Sequence, residues 1–403
     1  MTTSTTASAA QLRIALTATV IVFGINGLVF ASWAARIPAV TDTLGLTPGQ
    51  MGSLLLCLAV GSLVALPTAG WVTGKLGIAH SVRLAGLISA LAGIGIAGSL
   101  SAATTIGTAI SLFVFGIGIG LWDVAINIEG ADVEHKLGRT VMPQLHAAFS
   151  GGAFVGAIIG AGLANIGVGL PAHLLVIAGV VLAATQWLPK YFLPRIPEPQ
   201  RPEGEPAPPK VRSAWRDHRT LLIGVVVLGA TLTEGAGNDW IAKAAVDGLG
   251  VTNANGAFMF ATFVLAMTAM RFFGGKVIDA FGRVPVLRGS MAAAAIGLTV
   301  FVFAPTLWLA LIGVALWGIG AALAFPMGMS AAADDPKRAA ARVSVVATIG
   351  YVAFLSGPPL LGFLGDVVGI RFALLAIGVP IVVALVLAGA AKPLRKGDNQ
   401  SGE

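Results

Sequence analysis

The chain has 403 residues, of which 56% are hydrophobic and only 11% charged. An ordinary soluble domain carries about 25% charged residues, so this composition excludes one and indicates a polytopic membrane protein embedded in a lipid bilayer. A net charge of +7 does not make it a nucleic-acid binder, because the basic residues are scattered between apolar runs and form no single patch.

A membrane-crossing helix needs roughly 20 mainly apolar residues. The sequence supplies twelve such runs, at about 13–35, 50–71, 82–101, 105–128, 142–164, 171–190, 219–242, 255–275, 286–304, 306–329, 341–363 and 370–391. The first is preceded only by Arg13 and exceeds the roughly 7–15 residues of a signal-peptide core, so no cleaved leader is expected. In span 1, Asn26 stands mid-helix as a candidate substrate hydrogen-bonder or interhelical bond. Trp33 near its far end suits the aromatic belt better than a stacking site. Cys57 in span 2 is the lone cysteine and excludes an internal disulfide or a cysteine-based metal site.

Span 4 carries Asp123 and Asn127 inside an apolar helix. Gly116, Gly120, Asp123 and Asn127 are spaced 4, 3 and 4 and so share one face. A carboxylate at bilayer depth costs on the order of 3 kcal/mol or more and is functional by default. Asp123 therefore reads as a proton-coupling or substrate-contacting group, with a paired structural acid as the alternative. Glu129, Asp132 and Glu134 read as interfacial. In span 5, His146 lies one turn in and is a candidate proton relay or a structural imidazole, and Ser150 follows one turn later.

The stretch from Pro194 to Pro209 is proline-rich and polar and reads as a semi-extended linker. It divides the chain into an N-terminal half (1–192), a linker (193–218) and a C-terminal half (219–403). The halves repeat at a constant offset of 205 residues, which carries Leu44-Gly-Leu-Thr47 onto Leu249-Gly-Val-Thr252, Gly70 onto Gly275, Gly77 onto Gly282 and Arg83 onto Arg288. Parallel six-helix repeats are the architecture of a transporter that rocks about a central site.

In span 7, Glu234 precedes Gly235 and Gly237, which are expected to loosen the helix about two-thirds of the way across. Glu234 is then a candidate substrate or proton site. Asp239 is expected to pair with Lys243 at i+4, and Trp240 to join the belt. Pro326 predicts a kink in span 10, and Pro358-Pro359 another in span 11, beside the candidate binding residue Tyr351. Of the 25 Lys and Arg residues, all but Arg36, Lys243 and Arg371 fall on one set of connections. Such a bias places those connections and both termini in the cytoplasm.

The loop between spans 8 and 9, Gly275-Lys-Val-Ile-Asp279-Ala-Phe-Gly282-Arg283, resembles the Gly-x-x-x-Asp-x-x-Gly-Arg loop of the major facilitator superfamily. Its counterpart between spans 2 and 3 keeps Gly70, Lys75 and Gly77 but has Gly74 in place of the acid. The resemblance covers essentially the whole chain and implies an all-α fold of 12 transmembrane helices in two six-helix pseudo-repeats. It also implies a cytoplasmic latch through Asp279, and a cavity lined by spans 1, 4, 7 and 10, which here hold Asn26, Asp123, Glu234 and Pro326. More narrowly, Gly118-x-Gly120-x-x-Asp123-Val-Ala-Ile-Asn127 and Phe149-Ser150-Gly-Gly are similar to segments of the fucose/proton symporter group and of bacterial inner-membrane facilitators without an assigned substrate. Asp in place of Glu, and Ser150 in place of Asn, depart from that pattern and keep the substrate open.

The resemblance implies secondary active transport of a small polar, sugar-like solute, coupled to protons, in the bacterial cytoplasmic membrane, by a protein functional as a monomer. Drug efflux by proton antiport is the alternative, weakened by Ala161 where such antiporters carry a Pro in span 5. A non-transporting sensor on the same fold is a second. The chain has no Gly-Lys-[Ser/Thr] phosphate loop, and its five His residues do not cluster with acids at ligand spacing. No ATP, metal, cofactor or enzymatic chemistry is expected.

Overall fold

The structure is a computed structural model that describes residues 8–139, 141–193, 214–335 and 338–394. The linker 194–213 lies outside the described residues. Among those described, twelve helical segments are long and apolar enough to cross a membrane: Ala9–Leu44, Pro48–Leu76, Ile78–Ser101, Thr105–Leu137, Met142–Asn165, Leu170–Tyr191, His218–Leu249, Asn253–Phe281, Arg283–Phe303, Leu307–Ala332, Ala341–Val368 and Ile370–Ala391. These are spans 1 to 12. Several run well past their apolar windows, span 4 to Leu137 and span 8 to Phe281. Apolarity marks where lipid is, whereas a helix ends where its backbone hydrogen bonds end.

Span 1 is a long helix, Ala9–Ala34, followed past the apolar run by a short one, Ile37–Leu44, with Pro38 in its first turn and Gly45 closing it in the left-handed region at φ 61°. The sequence repeat is a repeat of backbone geometry. Gly45 and Gly250 are both left-handed, at φ 61° and 65°. Thr47 and Thr252 cap spans 2 and 8 with their hydroxyls, and Gly77 and Gly282 turn the chain at φ 78° and 82° with the same ψ of 159°.

Small residues set how closely the spans approach. A Cβ on Gly27 would run into the Phe149 carbonyl, and one on Gly152 into the Gly24 carbonyl, so spans 1 and 5 are in backbone contact. Gly61 and Gly116 bring spans 2 and 4 together in the same way. Gly152→Ala is expected to cost about 1–3 kcal/mol by overpacking and to lower the melting temperature of the purified protein. Gly151→Ala, with nothing within 4 Å of its Cβ position, is expected to leave it unchanged.

Call the side carrying Arg219, Arg283 and Lys392 the basic face, and the other the far face. The three basic residues on the far face, Arg36, Lys243 and Arg371, are 5%, 4% and 8% exposed. Arg36 and Arg371 donate to backbone carbonyls of Gly160 and Val168, and of Gly248, Phe301 and Ala304, while Lys243 pairs with Asp247 at 2.7 Å. The far face thus displays almost no positive charge.

The halves join at that far face. Asp366, near the end of span 11, accepts from the Gly49 backbone N–H at 2.9 Å and the Thr47 hydroxyl at 3.2 Å, at the N-terminus of span 2. Beside it, Gly52 packs on Pro358 and Pro359, and Gly362 on Pro48. A second bridge runs from Asn253 Nδ2 at the start of span 8 to Asp42 at 3.2 Å. At the basic face, the ion pairs among described residues each stay within one half: Arg219 and Arg283 with Asp334, Arg342 with Asp217, and Lys136 with Asp132. Asp217 caps span 7. Partial burial pushes its carboxyl up, but the Thr220 hydroxyl, Arg342 and the Arg219 N–H together hold it below the usual range.

Candidate functional site

Beneath the far-face seal, spans 1, 2, 7 and 11 enclose a cavity of about 180 Å³ between the halves. Its walls include Phe30, Trp33, Tyr351 and Phe354. Its polar side chains are Ser62, Asn238, Asp239 and Tyr351, besides the Trp33 indole. The Ser62 hydroxyl is already committed to the Gly116 carbonyl of span 4 at 3.1 Å.

Span 4 divides its conserved-looking stripe between two tasks. Gly116 and Gly120 lie against the Leu58 and Ser62 backbone of span 2. One to two turns further on, Asp123 and Asn127 are free of that contact. Asn127 Nδ2 donates to the Asp123 carbonyl at 2.8 Å and to its carboxylate at 3.2 Å. Asp123 is exposed although it lies 14 residues before the end of its helix at Leu137. It stands near the middle of span 4, 18 residues after the start of the helix at Thr105.

Span 7 was expected to loosen at Gly235 and Gly237, but it is one continuous helix, His218–Leu249. Gly237 is small because the Phe263 ring occupies the place of its side chain. Glu234 lies 16 residues after His218 and 15 before Leu249, at the middle of the span instead of two-thirds across. It already has a partner. Arg271 of span 8 holds both of its carboxylate oxygens with one Nη, at 2.9 and 2.8 Å. The Arg271 Nε donates to the Ala322 carbonyl at 3.1 Å. Ala322 is four residues before Pro326, and proline has no N–H to return to that carbonyl. The predicted kink is therefore a break between Ala321 and Ala324 whose freed acceptor orients the arginine. Trp317 Nε1 fastens span 10 to the Thr233 carbonyl next to Glu234 at 3.1 Å.

The other sequence candidates fall in different places. Trp33 lines the cavity, and Trp240 is 0% exposed in the core. Neither belongs to the lipid belt, which is supplied by Trp71, Trp187 and Trp308 at 63%, 65% and 76% exposure. Asn26 is buried within the N-terminal half with no partner for its Oδ1, and Ser150 is buried in span 5. His146 is exposed and meets the Phe23 ring edge-on at 5.6 Å. The expected Asp239–Lys243 pair is absent. Lys243 chooses Asp247, and Asp239 opens on the cavity instead. In the loop motifs, Lys75 stacks over Trp71 at 4.4 Å. Gly70 and Gly275 have open space around them. Asp279 is exposed with no ion pair among described residues, and Arg283 binds Asp334.

Arg271, Asp334 and Asp366 were not singled out by sequence, and Asp239 was read only as a partner for Lys243. A usable signal existed for Arg271, since it stands eleven residues before Gly282 turns the chain, too deep for an interfacial residue if the helix runs on.

Known proteins match this architecture. The family model of the Major Facilitator Superfamily matches residues 240–402. An uncharacterized MFS-type transporter of Yersinia pestis is 31% identical over 379 residues, covering 93% of this chain and 94% of the relative. The membrane protein MosC of Rhizobium meliloti is 29% identical over 380 residues, with coverages of 93% and 90%. Among solved structures, the nucleoside transporter NupG superposes with a TM-score of 0.74 at 15% identity, covering 93% of this chain and 98% of its own. The transporter FucP in its outward conformation gives 0.65 at 15%, with 95% and 100% covered. A relative this similar along nearly its whole length settles the family: the chain is a multi-pass membrane protein belonging to the major facilitator superfamily of transporters.

Proposed function

We propose that the protein is a secondary transporter carrying a small polar solute across the bacterial cytoplasmic membrane by alternating access, coupled to protons. The observation that carries this reading is Asp123, a carboxylate at the middle of a spanning helix that is nevertheless exposed. The far face is sealed by Asp366, and at the basic face the ion pairs of Arg219 and Arg283 with Asp334 and of Arg342 with Asp217 each stay within one half, which supports a conformation open to the side bearing the positive charge. The basic bias, sharpened by the burial of Arg36, Lys243 and Arg371, makes that side the cytoplasm, with both termini on it. Asp279 and Gly282-Arg283 would engage when the basic face closes. Asp123 with Asn127 takes the proton-coupling role, and Glu234, Tyr351, Trp33 and His146 stand within or beside the solute path. A buried Asn26, Ser150 and Trp240 support it from behind.

The test is a vesicle assay. Purified protein in liposomes loaded with a pH-sensitive dye is challenged with L-fucose, uridine and small amines. The first two follow from neighbours described as a fucose:proton symporter and a nucleoside transporter. Solute-linked proton movement is expected for the transported class, and Asp123→Asn is expected to abolish it while sparing exchange of labelled solute, since the amide still hydrogen-bonds but cannot titrate. Equal loss of both would make Asp123 structural. The apolar walls of the cavity favour one second reading, proton-antiport efflux, which the same dye reports as a pH change of opposite sign.

A further inference from the structure

We propose that the cavity beneath the far-face seal is a recognition site for a small monoamine bearing an apolar ring, with Asp239 as its counter-ion. The inference rests on the transport reading for the fate of the ligand, but not for its binding. Asp239 is a half-buried carboxylate on a membrane-spanning helix, lining a mostly apolar space between the halves, with no hydrogen bond or ion pair among the described residues. Its one basic neighbour on the same helix face, Lys243, is spent on Asp247 at 2.7 Å. Arg271, the cation nearest to mid-membrane in this half, is spent on Glu234. Of the side chains around the cavity, only Tyr351 besides Asp239 can titrate, so the protein supplies no positive charge to this acid. An unpartnered carboxylate in such surroundings is costly, and a bound ammonium satisfies it.

The walls specify the rest of the ligand. Phe30, Trp33, Tyr351 and Phe354 line the same cavity as the acid, and aromatic rings attract a cation and pack against an apolar body. A polyol is poorly matched, because each buried hydroxyl needs a partner and few polar side chains line the space, one of them the Ser62 hydroxyl already engaged with Gly116. An anion is repelled by Asp239. One carboxylate neutralises one charge, which disfavours a dication. A volume of about 180 Å³ lies below the roughly 300–1,000 Å³ of sites for drug-sized molecules and so selects a single-ring amine over a large lipophilic cation.

The test uses a matched pair, 2-phenylethylamine and its neutral analogue 2-phenylethanol, with L-fucose as the polyol. Binding to the purified full-length protein is followed by thermal shift and by fluorescence of Trp33 in the cavity wall, at neutral pH, where the amine is charged. The amine is expected to bind about tenfold tighter than the alcohol or better, equivalent to about 1.4 kcal/mol. Asp239→Asn is expected to bring that ratio to about one, and Asp239→Glu, which keeps the charge, to preserve the preference. Equal binding of amine and alcohol to the unmodified protein, or a preference that survives Asp239→Asn, overturns the proposal. Fucose binding without amine binding sinks this inference and leaves polar-solute transport standing. Amine binding without solute-linked proton movement in vesicles keeps the site and sinks coupled transport.

Discussion

Arg271→Ala is expected to destabilise the protein by about 2–3 kcal/mol and to abolish solute-linked proton movement. The substitution leaves Glu234 at mid-membrane without the guanidinium that holds both its oxygens, and leaves the Ala322 carbonyl, freed by Pro326, without its donor. Breaking a fully buried pair costs about 3–5 kcal/mol, whereas an exposed pair is worth at most about 1 kcal/mol. Side-chain exposures of 30% and 18% put this pair between those limits. Thermal unfolding of the single variants and the Arg271→Ala/Glu234→Gln double variant completes a cycle. Much of the loss is expected to be recovered in the double variant, since no charge is then stranded. Arg271→Lys is expected to fall between, because an ammonium can reach Glu234 but lacks the fork that also serves Ala322. Strictly additive single and double losses would show that the two residues do not act as a unit.

This pair also changes what Glu234 can do. A carboxylate already satisfied by two hydrogen bonds from one cation is poorly placed to bind a solute hydroxyl unless Arg271 lets go. Glu234 and Arg271 thus serve as a clamp among spans 7, 8 and 10, while Asp123 stays exposed at the middle of span 4 and Asp239 lines the cavity between the halves.

The architecture was legible because it is written in local chemistry. Apolar runs of spanning length, positive-φ glycines at Gly45, Gly77, Gly250 and Gly282, and threonine caps at Thr47 and Thr252 each work within a few residues of themselves. The charge network was not legible, because it depends on where helices end and which way they face. Ending span 8 at residue 275 puts Arg271 in its last turn, at the membrane boundary. Its actual end at Phe281 adds six residues, about 9 Å of helix, and draws Arg271 into the bilayer. Lys243 has an acid four residues away on either side, and the preference for an acid N-terminal to the lysine favours Asp239. The structure overrides that preference because the Asp239 face of span 7 borders the cavity. Trp33 and Trp240 were misread for a related reason, since proximity to a span end does not tell a lipid-facing ring from one facing a neighbouring helix.

Asp366→Ala is expected to open the far face. Its carboxylate caps the N-terminus of span 2 from the opposite half, where two unpaired donors and the helix dipole favour a negative charge by about 0.3–2 kcal/mol. Gly49 keeps that approach close, since a Cβ there would meet the Asp366 carboxylate. A second contact across the halves, Asn253 at the start of span 8 with Asp42, is a single exposed side-chain bond at 3.2 Å. A loss of about 1–2 kcal/mol from the sealed state shifts the balance of states about 5- to 30-fold. Maleimide labelling of Leu55→Cys, a cavity position below the seal, in a Cys57→Ser background and from the far side, reads this directly. The labelling rate is expected to rise most for Asp366→Ala, less for Asp366→Asn, whose amide oxygen still accepts one bond, and little for Asp42→Ala. Unchanged labelling across all three would mean that the apolar contact of Gly52 and Gly362 with span 11 and span 2 holds the far face shut without the carboxylate.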